Sequence, residues 1–590
     1  MFMRKGMKTV TILLLALVLV LSTPLQAAAA SGDSLLPSGI AKENIGPELE
    51  AFAAAHADTM AGMAVSVFDR AGILYQNYFG HGDIARGLKV NPDTVFEWGS
   101  ATKLLVWVSV MQLAEQGKLD LDGDIRQYLP DGFLKNLRFD TPVTMLNLMN
   151  HDAGFEETLV GMFTHREDRI LSLEDYLTQV QPHQVFAPGE VTAYSNWGVA
   201  LAGFIVERTG GMPFYQYVHE NIFVPLGMEH SALNADLSDN PWVKQQRERL
   251  ECYTSDSSLM PKSMVYFSMY PAGSCTSTLE DFTAFGRALL DRESPLFRDP
   301  STYDAFLEPT SYFGDTEIPL NHHGMWAIQM YATPVIGHGG NTAGCSSYLR
   351  LDVENGVGMV VMTNQANELI FNGQMPELVF GKYEGENLEF TGFAMNARTI
   401  YGGPLKLQKL LNIVRITPEN TAGAVSVLSR GEGMQKITIP YGDYLVLSLP
   451  ELICQLLPLV LWVLALLYCL IRLIALGIGW IVRKIRRRMP RKKVRKWTVA
   501  ACFAQLLPLI PPVFAYLSLL NWKQWPLWGY DLAFGSFLIW AVLYAGQIFW
   551  GIRDMVRRRR AQFGSVAVIV SLMISFANIL YWELGAFWRL

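Results

Sequence analysis

The sequence predicts an α+β globular domain, a small β-rich module behind it, and a helical membrane region at the C-terminal end. Three observations carry this. Strand-like runs occur at both ends of residues 31–384 around a helix-patterned middle, which is not the βαβ repeat of a parallel sheet. Residues 385–450 hold short β-like runs broken by Gly and Pro. After Pro450 the charge all but disappears from four long apolar stretches.

In chain order, Arg4, Lys5 and Lys8 precede the apolar run Val10–Leu21, and Ala27–Ala30 offers small residues for cleavage. Residues 1–30 therefore read as a signal peptide, with a mature start near Ser31. Alternation over Met63–Phe79, interrupted by Asp69-Arg70-Ala71-Gly72, predicts a β-hairpin. From Ser100 the pattern becomes helical: Leu104, Leu105, Val108, Met111, Leu113 and Ala114 share a helix spacing, and Gly117 ends the run. Residues 130–300 read as mostly helical with loops, for example Trp197–Arg208, stopped by Gly210-Gly211. Strand character returns at Val335–His338, Ser346–Leu351 and Gly356–Thr363, before a helix expected over Gln365–Phe380. In the module, Leu410–Ile416 and Gln435–Ile439 are the β-like runs.

The apolar stretches cover about 452–471, 499–520, 532–552 and 565–582, each near the length of a bilayer span. Arg483–Lys496 carries ten Lys/Arg in fourteen residues, and Arg553–Arg560 carries five Arg. Basic loops stay cytoplasmic, so four spans with both loops inside put residues 31–450 outside, in agreement with the export signal. The expected location is the cell membrane, multi-pass, with the globular domain extracytoplasmic and the lipid bilayer as a partner. Residues 451–590 contain 18 Lys+Arg against 4 Asp+Glu, leaving 30 against 50 in residues 1–450. A globular half this acidic argues against nucleic acid. The six cysteines read as buried small residues, without metal-ligand spacing, and no metal or organic cofactor is implied.

Three short motifs carry the chemistry: Ser100-Ala101-Thr102-Lys103, Tyr194-Ser195-Asn196 and His338-Gly339-Gly340. A serine hydroxyl is a poor nucleophile at neutral pH and needs a base within reach. Ser100 and Lys103 lie one turn apart on a helix, whose start also favours developing negative charge. Tyr194 is a phenol able to shuttle a proton, and Asn196 can donate to a substrate carbonyl or hold Lys103. Gly339 and Gly340 let a substrate backbone lie against a strand, with the N–H groups of Ser100 and Asn341 placed to hold an oxyanion. Ser100, Lys103 and Tyr194 are the expected catalytic residues; Asn196, His338, Gly340 and Asn341 are the expected substrate contacts. His151 is expected to bond within its own turn. There is no G-x-S-x-G of an α/β-hydrolase.

These motifs and their flanks resemble the serine β-lactamase and penicillin-binding superfamily, in particular the branch of class C β-lactamases, D,D-carboxypeptidases and esterases. Asp93–Ser100 resembles the family's approach to its serine. Leu148–Gly154, Pro188-Gly189-Glu190 and Pro225-Leu226-Gly227-Met228 are also similar, so the resemblance covers roughly residues 40–380. It implies a two-lobed fold, a helical lobe beside an antiparallel sheet, with the site in the cleft between them. One departure matters. Many members have Lys-Thr-Gly where this chain has His338-Gly339-Gly340; a neutral imidazole and a missing hydroxyl weaken the grip on a β-lactam carboxylate. The expected function is an exported, membrane-anchored serine hydrolase acting on a peptide, amide or ester, with weak β-lactamase activity at most. The alternative is a penicillin-recognising sensor with slow or no turnover.

Overall fold

The computed structural model describes residues 34–158, 161–255, 257–260, 264–401, 412–431, 434–486, 496–505, 527–557 and 563–582. The expected signal peptide, the span beyond Gln505 and most of the basic loops lie outside these residues.

The large sheet is built around the predicted hairpin. Strands β1 (Gly62–Asp69) and β2 (Ile73–Asp83) pair antiparallel with Met63 opposite Phe79, and Asp69 Oδ1 accepts from the N–H groups of Ala71 and Gly72 to close the turn. Three strands from the other end of the domain complete the centre: β3 (Ile336–Asn341), β4 (Ser346–Asp352) and β5 (Val357–Thr363). The sheet has nine antiparallel strands, ordered Ser311–Tyr312, Pro319–His322, Met325–Ala327, β3, β4, β5, β1, β2, Leu88–Lys89. The N- and C-terminal strands of the domain therefore lie side by side.

β1 is buried along its whole length because both faces are covered. Met63, Val65 and Val67 pack with Ile45, Leu49 and Ala53 of helix α1 (Ile45–Ala55), while Ala64 and Phe68 face the helical lobe. The two-residue period of a strand delivers alternate side chains to the two layers. In the helical lobe, α2 (Lys103–Glu115) and α3 (Asn196–Gly210) are apolar almost all round and buried in one cluster. A helix of that kind belongs in a core. α3 stops at Gly211, whose φ of 75° is the left-handed cap that the Gly-Gly pair predicts. α2 departs from expectation at its start. Ser100 sits in a 3-10 turn, Gly99–Thr102, and the α-helix begins only at Lys103. The helix expected over Gln365–Phe380 is instead a π-turn at Ile370–Gln374 and a short helix at Glu377–Phe380; Glu368 accepts from the three successive N–H groups of Ile370, Phe371 and Asn372 at the start of the turn.

The β-like module forms a second antiparallel sheet of five strands: β6 (Gly392–Asn396), β7 (Ile413–Ile416), β8 (Val427–Gly431), β9 (Met434–Ile439) and β10 (Gly442–Leu447), in the order β7-β6-β10-β9-β8. It is joined to the first domain by polar contacts centred on the buried Asp443. Asp443 accepts from the Thr192 N–H at 2.9 Å, and Lys436 Nζ bridges Asp443 and the Glu190 carbonyl. β10 runs straight into helix α4 (Leu449–Ile485): Ser448 is its N-cap, and Glu451 returns a bond to the Ser448 N–H. Such a reciprocal pair satisfies the free donors of a helix start.

Among the described residues one helix, over Leu449–Val482, is long and apolar enough to cross a membrane; Phe537–Arg553 and Val566–Tyr581 are shorter apolar stretches. The expectation of four such spans is thus met once. The cysteines are unpaired; Cys454 is exposed on α4 and the other five are buried.

Candidate active site

The site forms where two backbones touch. Gly99 adopts a φ of +53°, and a Cβ there would lie 2.8 Å from the Asn341 nitrogen. A Cβ at Gly340 would lie 1.8 Å from the Trp98 carbonyl oxygen. Neither position has room for a side chain, so β3 lies directly against the turn that carries Ser100, with Asn341 N beside it. Gly340→Ala is expected to force β3 off this turn, cutting turnover by about 100-fold or more and costing about 1–3 kcal/mol of stability. Steady-state kinetics and a denaturant titration check both; a variant of full activity and stability would remove this contact from the account.

Lys103 is the centre of the site. Its side chain is wholly buried, and Nζ lies 3.0 Å from Ser100 Oγ, 2.7 Å from Asn196 Oδ1 and 2.7 Å from the Ala272 carbonyl. Burial pushes its ammonium well below the ordinary lysine range; Glu157 opposes this and Arg398 reinforces it. A neutral amine has two hydrogens and one lone pair. The two carbonyl oxygens take the hydrogens, and the lone pair is left for Ser100.

The motif containing Tyr194 precedes α3. Ser195 caps that helix by accepting from the Gly198 N–H, which sets Asn196 in its first turn. The Tyr194 hydroxyl is hydrogen-bonded with Ser100, and burial raises its pKa so that the phenol holds its proton. Lys103 Nζ and Arg398 Cζ each lie 5.0 Å from the centre of the Tyr194 ring.

His338 is buried, and its Nδ1 donates to the Gly339 carbonyl at 2.6 Å. Burial, helped by Lys103, brings its pKa down to about 3, so the imidazole is neutral and its Nε2 is a free acceptor. Asn341 is exposed at the end of β3; its Oδ1 accepts from Ser346 and its Nδ2 donates to Tyr348. His151 differs from expectation. Its backbone N–H bonds the Leu148 carbonyl within the turn, but the side chain reaches out of it: Nδ1 accepts from the Ser195 N–H, and the ring lies parallel to Trp326, 5.5 Å away.

The motifs therefore converge: Ser100, Tyr194, Asn196, His338 and Asn341 line one cavity of about 640 Å³. A smaller one of about 90 Å³ adjoins it at Ser100, Phe163 and Asn341, with apolar walls that include Leu237 and Phe267. Sequence reasoning missed the far wall of the larger cavity. Asn396, Gly442 and Tyr444 come from the second sheet, and Arg398 and Tyr441 from the loops beside its strands. It also missed Glu157, buried behind Asn196. No motif or spacing marks these residues; only the fold brings them together.

A family model described as Beta-lactamase matches residues 49–378. The chain belongs to that family. Its members include serine hydrolases, carboxypeptidases and amidohydrolases. This family member is 25% identical over 215 residues to the "Putative penicillin-binding protein PbpX" of Bacillus subtilis, covering 36% of this chain and 51% of that protein. It is 29% identical over 174 residues to the "D-alanyl-D-alanine-carboxypeptidase/endopeptidase AmpH" of Escherichia coli, covering 28% and 44%. The chain thus spans about half the length of these two relatives. An octameric penicillin-binding protein homologue from Pyrococcus abyssi superposes with a TM-score of 0.48 at 18% identity, over 68% of this chain and 99% of that one.

Proposed function

We propose that this protein is an exported, membrane-anchored serine hydrolase that cleaves an amide or ester through an acyl-serine intermediate. The observation that carries the reading is the setting of Lys103: a buried amine with two carbonyl acceptors and Ser100 Oγ at 3.0 Å. Ser100 Oγ attacks the substrate carbonyl carbon and passes its proton to Lys103 Nζ. The N–H groups of Ser100 and Asn341 hold the resulting oxyanion. As the C–N or C–O bond breaks, the leaving group takes a proton by way of Tyr194, and the acyl group stays on Ser100. Water then attacks the ester, with the same groups working in reverse.

The substrate class is a peptide, amide or simple ester, with D-amino-acid peptides favoured by the similarity to a carboxypeptidase/endopeptidase. Efficient β-lactam hydrolysis is disfavoured, because the neutral His338 stands on β3 where many relatives carry a lysine, and the cation of the cavity, Arg398, is engaged with Glu157. Membrane attachment runs through α4, which follows the second sheet without a linker. The charge pattern of the later segments supports further spans and an outward-facing domain.

The test uses the full-length protein in detergent. Intact mass after exposure to a fluorophosphonate is expected to show one adduct, on Ser100. A panel of acyl-D-amino amides, D-Ala-D-Ala peptides, simple esters and a chromogenic cephalosporin then ranks substrates. No adduct on folded protein sinks the hydrolase reading. A stable acyl-enzyme on the cephalosporin, with no turnover of anything else, replaces it with a sensor.

A further inference from the structure

We propose that Arg398, supplied by the loop that follows β6 of the module, is a positioning residue for the base that serves Ser100: through Glu157 and Asn196 it holds Lys103 in its working state, so the module is part of the active site. The inference rests on the proposed hydrolase reading and deepens it.

The connection is a continuous chain of hydrogen bonds. Arg398 Nη2 donates to Glu157 Oε2 at 2.8 Å. The same oxygen accepts from the Asn196 backbone N–H and from Asn196 Nδ2, each at 3.0 Å. With Nδ2 committed to Glu157, the Asn196 amide can turn only one way, and Oδ1 meets Lys103 Nζ at 2.7 Å. Lys103 in turn reaches Ser100 at 3.0 Å. Five residues from four separate parts of the chain form one line that begins 298 positions downstream of the serine where it ends.

Charge gives the line its purpose. Glu157 is buried in the helical lobe, and its other oxygen accepts from the Thr158 N–H. Burial lowers the Lys103 pKa; a buried carboxylate nearby works against that lowering and favours the ammonium, the form that cannot act as a base. Arg398 supplies the opposing cation. Its guanidinium is about a third exposed, lines the larger cavity and is the one charged side chain among the described residues doing so. The other titratable groups facing Lys103 are Tyr194, ahead of α3, His151, after Met149, and His338 on β3. Burial keeps the first protonated and both imidazoles neutral, so Glu157 and Arg398 are the two charges that adjust a Lys103 pKa already lowered by burial.

The experiment needs no substrate. The second-order rate of labelling by a fluorophosphonate is measured against pH on the full-length protein in detergent. Labelling forms the Ser100 O–P bond, expels fluoride and sends the serine proton to Lys103, so its acid limb follows loss of the neutral amine. In Arg398→Gln the unopposed Glu157 raises the pKa of Lys103, and the limb moves to higher pH by about one unit, a tenfold slower rate on its acid side. Arg398→Lys keeps the charge and holds the limb close to the wild-type position. Glu157→Gln combined with Arg398→Gln removes both charges and brings the limb back. A purely structural role would leave the limb unmoved and make the double variant worse than the single one. Either result overturns the proposal. If the wild-type protein itself does not label, the hydrolase reading fails instead.

Discussion

Ser100→Ala is expected to abolish fluorophosphonate labelling and to lower kcat/KM on the best substrate by about 10⁴-fold or more, with the fold unchanged. The magnitude follows from the role: when the nucleophile of a covalent mechanism is lost, only oxyanion stabilisation and binding remain. The fold is spared because the Ser100 hydroxyl lies in the cavity wall, where it bonds Lys103 and Tyr194 but fills no core position. Lys103 keeps its two carbonyl partners without it. Intact mass, kinetics and a thermal melt on the same sample check the three parts. Undiminished labelling in the variant would move the nucleophile elsewhere and leave the geometry around Lys103 without a function.

Lys103→Met is the second large effect. Labelling and turnover are expected to fall by about 10³-fold or more, since a missing general base typically costs 10²–10⁴ and here it also positions the serine. The pH dependence separates loss of the base from general damage. Burial lowers the Lys103 pKa, so its neutral form predominates above that lowered value, and acylation declines as pH falls through it. The wild-type profile should therefore have an acid limb. The residual rate of Lys103→Met should lack it, because methionine has no proton to gain. A variant that is slow but keeps the same limb would assign the titration to another group and remove Lys103 as the base.

The reacting half of the site was legible in the sequence because it is local. Ser100 and Lys103 are three residues apart, and helix geometry alone brings them together. Tyr194 and Asn196 flank a helix cap. The β1–β2 hairpin and the Gly211 stop were legible for the same reason: a turn or a cap is written in two to four adjacent residues. What could not be read is what depends on the meeting of distant segments. Glu157 and Arg398 are 241 residues apart and share no pattern. The module read as a separate small β-rich unit or spacer with no part in the site, yet Tyr441 and Arg398 line the cavity. His151 read as a turn residue, and its bond to Ser195 appears only when the segment before α3 folds across it. The 3-10 turn at Gly99–Thr102 escaped because apolar spacing marks helix interiors better than helix starts.

The junction between β10 and α4 gives the cavity an altitude. Gly442 and Tyr444 are in the cavity wall, Leu447 ends the strand, and a capped helix begins at Leu449. Six residues of extended chain rise about 20 Å. If α4 is rooted in a bilayer as proposed, Ser100 stands at a set height above the lipid, because β10 passes into the helix through the single residue Ser448. Bonds held near that height come within reach, and those far out in the solvent or buried among the headgroups do not. The same short connection would pass a tilt of α4 to the cavity wall.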